Sequence, residues 1–70
     1  MKLSKLVKEY EKRKKLHAEK INDLNKLIRD SGADLGIEAL HEMYDKIFTH
    51  QITITAIDDF IMEMKKVTEL

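Results

Sequence analysis

The chain contains no proline, and its only two glycines, Gly32 and Gly36, lie close together. Proline and glycine are the residues that most often interrupt helices, so this usage is typical of a mostly helical chain. Seventy residues make one small domain, 1–70, and a domain of this size buries only about 60 % of the surface that its unfolded chain exposes. Such a domain is marginally stable alone, and oligomerisation is a common remedy. We therefore predict an all-α domain that needs a second chain.

Apolar residues at intervals of three and four predict a first, long helix over about 3–31. A coiled-coil-like heptad frame places four of its residues at position d and four at position a: Leu3, Tyr10, His17 and Leu24, then Val7, Lys14, Ile21 and Ile28. The wholly charged segment 11–15 interrupts this frame. Gly32 is expected to close the helix in the left-handed conformation.

Two shorter helices are predicted over about 35–49 and 55–68. Ser31 or Asp34 is the expected N-cap of the first of these, and Thr55 with Asp58 resembles a capping box for the second. Residues 51–55 alternate polar and β-branched side chains, which permits a strand. Since no second strand is available to pair with it, we interpret this stretch as an extended connector.

The three predicted helices differ in length: the first measures about 43 Å and the others about 20 Å each. A hairpin of the two short helices covers only the second half of the long one. The sequence therefore predicts a compact three-helix part over 16–70 and a projecting N-terminal part over 1–15. The expected core is Ile21, Leu24, Ile28, Leu35, Leu40, Met43, Ile47, Phe48, Ile57, Phe60, Ile61 and Met64.

The projecting part carries an apolar stripe that the predicted fold leaves uncovered. Its residues are Leu3, Leu6, Val7 and Tyr10. An exposed apolar stripe on a projecting helix is typical of a surface that binds another chain. We predict that these four residues bind a partner, with a second copy in a homodimer as the first choice. The alternative is a monomer whose first ten residues fray.

Opposite charges are concentrated in the two halves of a chain whose net charge is zero. Residues 1–30 contain ten basic and five acidic side chains, and residues 31–70 contain three and eight. This asymmetry fits a fold in which the halves pack together, a basic surface for nucleic acid or an acidic partner, or antiparallel self-association. The basic run Lys12, Arg13, Lys14 and Lys15 either contacts phosphates or forms a solvated helix face.

Catalytic and metal-binding patterns are missing from the sequence. Without cysteine there is no disulfide, zinc-thiolate site or cysteine nucleophile, and His41 with Asp45 suits a polar surface better than a metal site. We expect no enzyme activity, no metal and no cofactor. No apolar run has the length of a membrane span or signal peptide, so a cytoplasmic location without membrane contact is expected.

The function that these features favour is that of a small helical regulator, inhibitor or adaptor. It would bind another protein through its long amphipathic helix, as a homodimer. The alternative is a nucleic-acid-binding regulator that uses the basic face of that helix. Frequent Lys, Ile and Asp are common in proteins of low-GC bacteria and their phages, where small regulators of this kind occur.

Overall fold

The computed structural model describes residues 2–69, and describes side chains for residues 3–67. Two long helices, α1 (Lys2–Ser31) and α2 (Ile37–Glu69), are joined by a short 3-10 turn over Gly32–Asp34. They pack antiparallel along their whole length and form a rod of 53 × 14 × 13 Å. The all-α prediction is confirmed. The three-helix arrangement is wrong, because the second and third predicted helices are one continuous helix.

Residues 51–55 are helical and not an extended connector, because side-chain packing continues through them. Ile54 and Ile57 keep the spacing that faces α1, and Ile57 is buried. The Thr55 hydroxyl donates to the Gln51 carbonyl at 3.1 Å, one turn back in the same helix, and so does not cap a new helix. β-Branched residues weaken a helix by only about 0.5 kcal/mol each, which tertiary packing offsets here.

The turn between the helices closes without a left-handed glycine. Neither glycine has a positive φ among the described residues. Instead α1 tightens into a 3-10 turn, in which the Leu35 amide donates to the Gly32 carbonyl at 3.3 Å. The Gly36 carbonyl accepts the first bond of α2, from the Leu40 amide at 3.0 Å, so neither Ser31 nor Asp34 is its N-cap.

The seam between the helices follows the heptad frame predicted for α1. All eight of its predicted a and d residues are buried or half-buried. The facing residues of α2 repeat by three and four in the same way: Leu40, Met43, Ile47, His50, Ile54, Ile57, Ile61 and Met64. An antiparallel pair of helices with this spacing brings its side chains together in successive layers.

The best-buried part of the hairpin lies at the end that the sequence predicted to project. Val7, Ile57, Ile61 and Met64 form its core cluster, with Leu3 and Tyr10 packed against them. Residues 3–15 therefore lie along α2, because α2 is long enough to reach them. Phe48, which is 62 % exposed, and Phe60, which is 43 % exposed, are not core residues.

Candidate interaction surfaces

A polar layer divides the apolar seam near its middle. Lys14, at an a position of α1, donates from Nζ to Asp58 Oδ1 of α2 at 2.8 Å. This hydrogen bond raises the pKa of Lys14 above its ordinary value. Both side chains remain more than a third exposed, so water screens the pair and it contributes little to stability.

Two histidines face each other next to this pair. The Nδ1 atoms of His17 and His50 lie 2.8 Å apart, so one ring donates and the other accepts. Desolvation lowers the pKa of His50, and His17 and Lys20 lower it further by charge repulsion. The accepting ring must be neutral, so this contact is lost when both rings are protonated.

The basic run at residues 12–15 does not form one surface, because successive residues of a helix point about 100° apart. Lys14 lies in the seam, while Arg13 sits over the Tyr10 ring at 5.0 Å and reaches Glu9 at 3.7 Å. Lys12 and Lys15 are exposed on the side of α1 away from α2. Of the four residues in this run, only Lys12 and Lys15 are therefore available to a partner on the outer side of α1.

A longer basic surface runs along the outer side of α1. Eight exposed residues follow each other at intervals of three and four, and six of them are basic: Lys5, Lys8, Lys12, Lys15, Lys26 and Arg29. We call these six the α1 basic stripe; Glu19 and Asn22 lie between its two groups. It extends over about 36 Å. In the described part of the chain, no carboxylate pairs with its lysines.

Comparison of the chain with protein-family profiles, with curated proteins and with solved structures found no match. The surfaces of the hairpin are therefore the basis for any functional conclusion.

The four predicted partner-binding residues are divided between the seam and the surface. Val7 is 8 % exposed and belongs to the core, with Leu3 and Tyr10 packed on it. Tyr10 also meets Phe60 edge-on, with the ring centres 5.0 Å apart. Leu6, at 38 % exposed, remains open to another chain. The uncovered stripe that motivated the prediction is thus largely covered by α2.

A second apolar surface, which the sequence analysis did not single out, lies on the side of α2 away from α1. Tyr44, Phe48, Ile52 and Ala56 follow each other at intervals of four and are all exposed. We call them the α2 apolar face. Phe48, Ile52 and Ala56 line a groove of about 420 Å³. The sequence contains the spacing of four that marks this face. The same spacing is also typical of a buried stripe, so it did not identify an exposed surface.

Among the described residues, no group of three or more His, Asp or Glu side chains is placed to hold a metal ion. His41 lies 3.7 Å from Asp45 in an exposed pair on α2. Within residues 2–69, neither helix combines the length and the apolar character that a membrane span requires.

Proposed function

We propose that this protein is a small non-enzymatic regulator, inhibitor or adaptor that binds an acidic surface of another protein through the α1 basic stripe, and that it works as a homodimer. The observation that carries the proposal is the predominance of basic residues along the outer side of α1, where they occupy six of eight positions. Outer positions of a helical hairpin need only be polar, so mixed charges would serve solubility equally well.

The hairpin suits this role because it holds the stripe rigid. We propose that the seam packs as an antiparallel coiled coil, which keeps α1 straight over the length of the stripe. Each exposed lysine contributes little to affinity alone, about 0.2–1 kcal/mol in a typical surface pair. Several of one sign in a row accelerate association with an acidic partner and reject basic ones.

In-cell photo-crosslinking tests this function. A photoreactive amino acid replaces Lys12 in the stripe, and in a second strain it replaces Glu42 on α2. We expect a crosslinked protein product from position 12 that is lost when Lys8→Glu and Lys15→Glu are added. The control is Lys20→Glu with Lys46→Glu, which makes the same change of net charge outside the stripe and should leave the product. Equal products from positions 12 and 42 would contradict the proposal.

A second candidate function is nucleic-acid binding through the same stripe. The observation that favours it is the length of the stripe, since about 36 Å matches one turn of duplex DNA. Fluorescence anisotropy with a DNA duplex and a single-stranded RNA at about 50 and 200 mM salt tests it. If the six residues of the stripe each contact a phosphate, this increase in salt should weaken binding by about 1,000-fold. Absence of binding at the lower salt would remove this candidate and leave the protein partner.

A further inference from the structure

The middle of α2 lacks the charges that mark a solvated helix. Residues 47–57 contain no Asp, Glu, Lys or Arg, although these residues make up 37 % of the chain. Only one side of this segment packs on α1. A surface helix of a globular protein normally has one apolar side, whereas this segment has a second one facing away from α1. The α2 apolar face is therefore the part of the surface that we expect another chain to bury.

The exposed area of the hairpin is too large for a compact monomer. The chain exposes 5831 Å². A folded monomer of 8.2 kDa exposes about 4,500 Å². The excess of about 1,300 Å² is more than the roughly 800 Å² that each partner buries in a standard interface. One further chain in an interface of standard size would thus cover more than half of this excess.

We infer that a second copy of this chain packs antiparallel on the α2 apolar face, so that two hairpins form a four-helix homodimer. This inference rests on the proposed function for its premise that the protein works as a homodimer. In this dimer the two α2 helices meet at the centre, and the two α1 basic stripes face outward on opposite sides.

The position of Ile52 makes the face self-complementary under a two-fold axis. Ile52 is the central residue of the uncharged segment 47–57 and lies near the middle of α2. An antiparallel copy with its axis there places Phe48 opposite Ala56 of the second copy, and Ile52 opposite its own equivalent. The large Phe48 then meets the small Ala56, which is how well-packed layers interdigitate. A parallel copy would place Phe48 against Phe48.

The charges that flank the uncharged segment favour the same orientation at the ends of α2. Glu38 of one copy lies opposite Lys66 of the other, because both are fourteen residues from Ile52. In a parallel copy, Glu38 would lie opposite Glu38 and Lys66 opposite Lys66. Asp45 and Asp59 are each seven residues from Ile52 and meet at the rim, where water screens their repulsion.

Sedimentation equilibrium with two matched variants tests the inference. Ile52→Glu places a carboxylate at the proposed axis in both copies. Leu16→Glu makes the same change on α1 at a residue of similar exposure, 56 % against 52 %. Glutamate is a good helix former, so both hairpins should keep their circular dichroism. Phe48→Lys is the second interface variant if the first loses its helix signal.

We expect a wild-type dimer at about 100 μM, an Ile52→Glu chain whose dissociation constant rises by at least about 100-fold, and an unchanged Leu16→Glu dimer. A monomeric wild type at this concentration overturns the inference. So does an Ile52→Glu or Phe48→Lys dimer as tight as wild type, or a Leu16→Glu dimer that dissociates equally.

The sedimentation and crosslinking experiments together separate this inference from the proposed function. A monomeric wild type that still yields the crosslinked product from position 12 removes the second copy and the homodimer, and leaves the acidic protein partner standing. An intact dimer that yields no such product removes the acidic protein partner and leaves the second copy standing.

Discussion

Truncation of Val7 tests whether α2 covers the N-terminal half of α1. Val7 is 8 % exposed and packs with Ile57, Ile61 and Met64. Val7→Ala removes two carbon atoms, worth about 0.8 kcal/mol each in lost burial, and leaves a small cavity. The higher helix propensity of alanine returns about 0.5 kcal/mol. The free energy of unfolding should therefore fall by about 1.5 kcal/mol, a large part of the stability of so small a domain.

Urea unfolding followed by circular dichroism measures this change, at one protein concentration because association adds to stability. Leu16→Ala is the control, since Leu16 is 56 % exposed and its truncation should change the free energy by less than about 0.5 kcal/mol. A projecting, uncovered N-terminal half would make Val7→Ala as harmless as this control. That result would refute the continuous α2 and the packing derived from it.

Three further results follow from the seam, the turn and the proposed dimer. Because the pKa of His50 is lowered in the folded chain, the unfolded chain binds the proton more readily, and stability should fall as pH drops below about 6.5. His50→Leu should remove this dependence, and urea midpoints at pH 7.5 and 5 that fall equally in both proteins would contradict the histidine contact. Gly32→Ala should raise stability by about 0.4–1 kcal/mol in thermal unfolding, because φ is not positive and an added Cβ meets Ile28 at an ordinary 3.6 Å; a loss would show that the turn differs. Asp59→Lys should tighten the dimer about two- to five-fold in sedimentation by meeting Asp45 of an antiparallel copy, whereas unchanged association would indicate parallel packing, in which residue 59 meets its own equivalent.

The heptad frame of α1 could be predicted from sequence because its apolar residues keep one spacing over the whole helix. Lys14 and His17 fitted the frame despite their polarity, and the structure pairs them with Asp58 and His50 across the seam. Local spacing therefore gave the correct face of α1, although not its partners. These partners depend on where α2 runs.

The continuity of α2 could not be predicted because local signals opposed it. Thr55 and Asp58 look like a helix start, and the stretch before them has the composition of a strand. The structure uses Thr55 within the helix instead, through its bond to the Gln51 carbonyl. Local preferences of a few tenths of a kcal/mol give way when one long helix can cover all of α1.

The faces of α2 were ambiguous for a different reason. The middle of α2 has apolar residues on more than one side of the helix. By spacing alone, a stripe through Phe48 and Phe60 therefore suited the core as well as one through Ile47 and Ile61. Only the position of α1 decides between these stripes. The uncovered stripe became visible once that position was known, and the outer residues of α1 then stood out as mainly basic.

NMR titration tests the central claim, that the outer side of α1 is the binding surface. Backbone amide shifts of the labelled full chain are followed while poly-glutamate is added, and separately while a DNA duplex is added. We predict that poly-glutamate shifts the amides around Lys5, Lys8, Lys12 and Lys15, and that those of the α2 apolar face do not move. Shifts centred on α2, or none with either probe, would contradict the account.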